Sequence, residues 1–265
     1  NAVFAPLMAV LAVVMGFGMV SRWKNTEISL FVQQLRWAAV GSVFVALTIP
    51  FMLVGEFHVG VFLGTLLAAW IIIVTLKDLW QKTSNRAGRL TGLLKINRSY
   101  MGMVLGHIGF AFTIVGVTFV SLESIERDLR MSAGDKVPVA AYEFEFKSIS
   151  PIKGPNYNAD RAEIIVTESG SYVTSLYPEK RIYLSQGSPM TEAGIDPGLF
   201  RDLYVALGEP LEGDSWAIRI QIKPFVRWIW LGALIMAAGG LLAVSDRRYR
   251  ISLRKKTSKV VSVES

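Results

Sequence analysis

The feature that most constrains this chain is a repeated pattern: apolar stretches near 20 residues long, joined by connections that are basic only on every second turn. The stretches fall at about 3–20, 37–54, 59–76, 100–122 and 225–244. Each approaches the ~20 helical residues needed to cross a ~30 Å hydrocarbon core. The connection from Ser21 to Arg36 carries Arg22, Lys24 and Arg36 against Glu27 alone. That from Lys77 to Arg98 carries Lys77, Lys82, Arg86, Arg89, Lys95 and Arg98 against Asp78. The end of the chain, 245–265, holds Arg247, Arg248, Arg250, Arg254, Lys255, Lys256 and Lys259. The short turn Gly55-Glu56-Phe57-His58 has no Lys or Arg. Because basic connections stay cytoplasmic, Asn1, the Glu56 turn and the segment 123–224 are expected outside, and the C-terminus inside.

Charge bookkeeping separates the two kinds of segment. Glu123 to Lys223 holds 11 Lys/Arg against 16 Asp/Glu, leaving 17 basic and five acidic residues elsewhere. The net charge of +7 therefore reflects basic residues beside the spans. Those stretches lack interleaved aromatic platforms, so no nucleic-acid partner is expected. The mean hydropathy of +0.41 and an 18% charged fraction agree with a membrane protein. Cysteine is absent, which excludes disulfides, thiolate metal sites and cysteine nucleophiles. The chain begins at Asn1 directly in an apolar run without a basic leader, and is expected to be the C-terminal piece of a longer protein.

The segment 123–224 reads as a folded domain. Tyr142-Glu143-Phe144-Glu145-Phe146 alternates aromatic and acidic side chains. Further strand patterns cover 162–167, 172–177, 181–184, 202–207 and 216–222, separated by Gly154-Pro155, Ser169-Gly170, Asp196-Pro197-Gly198, Gly208-Glu209-Pro210 and Gly213-Asp214. Five to seven short strands suggest a small barrel or sandwich. The expected fold is thus an α-helical integral membrane protein of about five transmembrane helices: four in 1–122 and the fifth at 225–244. An all-β extracytoplasmic domain is inserted before the last, and a basic tail follows it.

Two histidines are present, His58 and His107. His107 lies within the fourth span, on the order of 10–12 Å from its cytoplasmic end. A side chain of this type inside a membrane is costly unless partnered, which makes it a functional candidate. A structural imidazole bonded to a neighbouring helix and a haem-iron ligand are both open readings. On a helical wheel Tyr100, Met103, Phe110, Ala111 and Ile114 share its face, while Gly102, Gly106, Gly109, Thr113 and Gly116 form a separate stripe suited to close helix packing. One histidine cannot make a bis-histidine site, so a second ligand must come from elsewhere. His58, on the short turn, reads as a solvated interfacial residue. No H-E-x-x-H, phosphate loop or G-x-S-x-G motif occurs, and no catalytic residue is assigned. Trp228 and Trp230 beside Arg227 suit an interfacial belt in contact with lipid.

Three stretches carry a resemblance. Ser99-Tyr100-Met101-Gly102-Met103-Val104-Leu105-Gly106-His107-Ile108-Gly109-Phe110-Ala111, Asp202-Leu203-Tyr204-Val205-Ala206-Leu207-Gly208, and Lys223-Pro224-Phe225-Val226-Arg227-Trp228-Ile229-Trp230-Leu231-Gly232 resemble, in order, the C-terminal portion of the CcmF haem lyases of cytochrome c-type biogenesis. The related NrfE-type lyases share much of this pattern. The resemblance implies a bacterial inner-membrane component of system I cytochrome c maturation. It implies haem transfer from the CcmE carrier to the C-x-x-C-H motif of apocytochrome c, with CcmH/CcmI-type partners. It also implies a haem b held between two membrane histidines, with quinol as an electron source. His107 matches one of those ligands and His58 matches none. Ligation is expected of the complete assembly and not of this piece alone. The competing expectations are a transporter or assembly scaffold in which His107 is structural, and an extracytoplasmic binding module displayed on helices.

Overall fold

The structure, a computed structural model, describes residues 3–20, 28–84, 96–185 and 187–246. The charges expected at Arg22, Lys24, Glu27, Arg86, Arg89 and Lys95, and in the tail from Arg247, lie outside the described residues. The chain divides into two compact units. One comprises Asn1–Leu122 with Trp228–Ser265, and the other is Glu123–Arg227.

The first unit is built from helices α1 (Phe4–Val20), α2 (Ile28–Val54), α3 (Val59–Ser84), α4 (Arg98–Glu123) and α5 (Val226–Val244). Four of them, α2 to α5, are long and apolar enough to cross a membrane. α1, with 17 residues, is at the short end of the spanning range. Two helices run well past their apolar stretches: α2 begins at Ile28 and α3 continues to Ser84. Backbone hydrogen bonding does not stop where hydropathy does. In α3 the extension is supported by the i,i+4 pair Asp78–Lys82, at 3.0 Å. α3 occupies the middle of the unit. Its Trp70 closes over Gly16 of α1 and donates from Nε1 to the Val13 carbonyl at 3.4 Å.

The second unit is a β-sandwich, which decides between the two architectures expected from sequence. Among the described residues it has ten strands: β1 (Ile125–Ser132), β2 (Lys136–Val139), β3 (Tyr142–Lys153), β4 (Tyr157–Glu168), β5 (Ser171–Leu176), β6 (Glu179–Tyr183), β7 (Pro189–Glu192), β8 (Gly194–Pro197), β9 (Arg201–Pro210) and β10 (Ser215–Pro224). One sheet runs β1-β10-β9-β8; the other runs β2-β3-β4-β6-β7, with β5 also paired to β4. A single core receives Met131, Leu203, Val205, Leu207, Ile218 and Ile220 from the first sheet and Phe144, Phe146, Ile164 and Val166 from the second. These are the alternate residues of their strands, as a half-buried sheet requires. Strands β1, β2, β7 and β8 add to those expected from sequence. β2, β7 and β8 have four residues each, too few to establish a period. In β1 the apolar side of the alternation is interrupted by Arg127. β1 and β10 are antiparallel with Ile125 opposite Ile222, so the domain's two connections to the helices leave from one end of the sheet.

Candidate functional site

α4 is the helix that carries His107, and both of its faces are held. At its start the Tyr100 amide donates to Asn97 Oδ1 at 2.7 Å, an N-cap, and the Ser99 amide donates to Asp246 Oδ2 at 3.0 Å. Asp246 is only 6% exposed and follows α5, so the end of one membrane helix fixes the start of another. The glycine stripe packs against α5. A Cβ at Gly109 would stand 2.6 Å from the Gly232 carbonyl oxygen and 2.8 Å from the Met236 amide nitrogen. Gly102 meets the Gly239 carbonyl in the same way, and Thr113 closes on Gly232. Only glycine permits this approach, which gives close van der Waals packing where lipid supplies no hydrophobic drive.

The other face of α4 packs against α3, antiparallel to it. Leu122 covers Gly60 and Thr118 covers Gly64 near one end. At the other end the Tyr100 hydroxyl donates to Asp78 Oδ2, with Lys82 Nζ 3.9 Å from the Tyr100 ring centroid. Between these contacts Phe110 and Ala111 join Ala68 and Ile71 of α3 and Ala12 of α1 in one apolar cluster, flanked by Ile114 and Trp70. Spacing places His107 in the middle of this face, with Tyr100, Ala111, Ile114 and Thr118. It sits nine residues beyond Arg98, about 13 Å along the helix. The residue is half-buried, and its Nδ1 is fully buried without a hydrogen-bond partner among the described residues.

A buried imidazole nitrogen left unsatisfied costs free energy unless something outside the described contacts completes it. Its surroundings are apolar, with the aromatic Phe110 one turn away. Among the described residues no group of three or more His, Cys, Asp or Glu is placed to hold a metal ion. The donor set is therefore one imidazole against an apolar wall. That fits one axial position of a haem and does not fit a multi-ligand protein metal site.

His58 is not brought to this place. It stands on the turn before α3, its Nε2 3.8 Å from Glu56 Oε2, with a side chain 45% exposed, as a solvated residue should be. Sequence reasoning placed Tyr100 on the face of His107 and counted Asp78 as the acid of its connection, but gave neither these nor Asn97 and Asp246 a part in fixing the end of α4 nearest His107. The available signal was Asp78, the lone acid of its connection, and Asn97, a good N-cap residue three positions before Tyr100. In the sandwich, Glu179 is a buried carboxylate bound by Arg161 Nε and Arg181 Nε, each at 2.7 Å. Burial raises its pKa, but the Arg181 and Arg161 hydrogen bonds more than offset this and hold the carboxyl below its ordinary value.

Comparison with known proteins follows the same division. Residues 123–224 match a family described as the CcmF C-terminal beta-sandwich. Along 263 residues the chain is 44% identical to the cytochrome c-type biogenesis protein CcmF of Pseudomonas fluorescens, covering 99% of this chain and 40% of that protein. The CcmF of Escherichia coli K12 is 41% identical over 250 residues, covering 94% of this chain and 38% of the relative. The NrfE protein of Haemophilus influenzae is 31% identical over 204 residues, covering 77% and 29%. A solved structure named cytochrome c heme lyase CcmF shares the fold with a TM-score of 0.73 at 18% identity, covering 92% of this chain and 40% of that one. The chain thus spans about two-fifths of the length of the CcmF relatives it matches. With the sandwich, the helices and near-complete alignment all agreeing, the chain belongs to the CcmF family and corresponds to its C-terminal portion.

Proposed function

We propose that this chain acts in cytochrome c maturation as part of a haem lyase, and that His107 is one axial ligand of a haem b. A single half-buried imidazole set within a membrane-length helix beside an apolar cluster is the observation that carries the site assignment. The names of the relatives carry the process. The second ligand would come from the remainder of a longer protein, as would most of the surface that handles substrate. In this reading the chain lies in the bacterial inner membrane with its sandwich in the periplasm, as the basic connections favour. Its partners are a CcmE-type haem carrier, CcmH/CcmI-type proteins and apocytochrome c, with quinol as an electron source. Haem substrate leaves the carrier and is joined to the apocytochrome thiols, chemistry consistent with a chain that has no cysteine of its own.

Haem b bound at His107 would supply a one-electron redox centre within the bilayer. The chain's own contribution is to aim and protect the ligand. His107 offers an imidazole lone pair, Phe110, Ala111 and Ile114 give an apolar wall, and the contacts of α4 with α3 and α5 exclude water and fix the helix. The test is His107→Ala in the complete membrane protein. The α and β absorption bands of the haem b should disappear while the protein still accumulates in the membrane. Full retention of those bands would reject the ligand assignment and favour a scaffold with a structural histidine.

A further inference from the structure

Hydroxyls in the membrane helices have a usual solution, a hydrogen bond back to the carbonyl four residues earlier. Ser42 donates to the Ala38 carbonyl at 2.7 Å, Thr48 to Phe44 at 2.8 Å, Thr83 to Leu79 at 3.0 Å and Thr113 to Gly109 at 3.2 Å. Thr75 does not follow them. The residue is 1% exposed, and its Oγ1 has no hydrogen-bond partner among the described residues. His107 Nδ1 shares that condition.

The packing of α3 on α4 brings these two atoms to one level. Gly60 lies against Leu122, Gly64 against Thr118, and Asp78 against Tyr100. Moving along α3 by four residues therefore moves the contact back along α4 by about four. Continued through Ala68 and Ile71, this register sets His107 beside the turn from Ile71 to Thr75. Thr75 belongs to the α3 stripe Gly60, Gly64, Ala68, Ile71, Thr75, Asp78, spaced by three and four, which is the stripe turned toward α4. Thr65, whose buried Oγ1 also has no partner among the described residues, lies ten residues away, about 15 Å along the helix. It also stands outside that stripe.

We infer that Thr75 is a positioning residue for His107: its Oγ1 accepts a hydrogen bond from Nδ1–H. This rests on the ligand assignment above. A neutral imidazole carries its proton on one nitrogen and a lone pair on the other. An acceptor at Nδ1–H fixes the tautomer, leaves Nε2 to face a metal, and sets the plane of the ring. The Thr75 hydroxyl proton then goes to the Ile71 carbonyl, the bond its neighbours already make. Both unsatisfied atoms gain a partner in this way.

The experiment compares Thr75→Ser, Thr75→Ala and Thr75→Val with His107→Ala in the complete protein, reading haem occupancy, midpoint potential and the low-spin electron paramagnetic resonance spectrum. Serine should match the parent on all three. Alanine and valine, which lack the hydroxyl at two different volumes, should keep the haem bands. Their potential should be more positive, because the ligand loses electron-donating character, and their g-values should be altered. Equal potentials and spectra for serine, alanine and valine would overturn the inference while leaving the ligand assignment intact. Loss of haem in all three would assign Thr75 to packing and also overturn it. Retained bands in His107→Ala would instead remove the ligand assignment, and this inference with it.

Discussion

The two units solve the same packing problem with opposite materials. In the sandwich, contact is made by bulk: Phe144, Phe146, Ile164, Leu203, Leu207 and Ile220 are fully buried and fill one core between two sheets. Between α4 and α5, contact is made by the absence of bulk, with Gly102 and Gly109 set against Gly239 and Gly232. Water rewards burial of apolar area, so the sandwich gains most from large side chains. Lipid does not distinguish a buried leucine from an exposed one, and helices there gain from close approach. The outward faces agree: Phe44, Leu234 and Leu241 are each at least two-thirds exposed on the helices. A stability argument transferred from one unit to the other would thus misjudge which residues matter.

The sharpest way to break this contrast is Gly109→Leu. The new side chain would meet the Gly232 carbonyl and the Met236 backbone, neither of which can move aside. Nearly all of the complete protein should fail to accumulate in the membrane, as read by immunoblot of membrane fractions. Wild-type levels would show that α4 and α5 do not pack through their glycines. In the sandwich the inverse substitution is the damaging one. Phe144→Ala should cost about 3–5 kcal/mol, measured by urea unfolding of the segment Glu123–Arg227 produced alone. That segment is a compact unit with its own core and should unfold in a single transition.

The smallest expected effect tests whether charge matters in the sandwich. Glu179→Gln should cost about 1–3 kcal/mol at neutral pH, less than a fully enclosed pair because water still reaches the arginines. The sign with pH follows from its depressed pKa. The unfolded chain titrates near the ordinary value of 4.5, and the folded carboxyl titrates below it. The stabilising contribution is complete above that range and is lost as pH falls through the folded value. The gap between parent and variant should therefore be constant near pH 6 and close under more acidic conditions. A gap that persists in acid would mean that Glu179 acts by shape alone.

The same contrast explains how much was legible in the sequence. Alternation in Tyr142 to Phe146 announces which side of β3 is buried, because only one side of a strand in water is apolar. The four-residue strands β2, β7 and β8 owe their place to neighbours and carry no period of their own. In the helices, hydropathy locates the spans but cannot say which face looks inward, since both faces are apolar. Glycine spacing recovers one face of α4, and His107 marks the other. Thr75 escaped notice because a lone threonine in an apolar run normally bonds its own helix. Only the register of α3 on α4 gives it a different meaning.

The pairing of β1 with β10 has a consequence for synthesis. β1 is an edge strand whose sole ladder is with the last strand to emerge, and the paired residues Asp128 and Arg219 are 91 positions apart. At ribosomal speeds of ~5–20 residues per second, β1 waits on the order of 5–20 s with its backbone unmatched. Long-range closure of this kind is intrinsically slow. The strand that ends the wait runs almost directly into α5. Completion of the sheet and arrival of α5 are therefore nearly one event in time, and the sandwich closes only when the membrane helix that follows it is at hand.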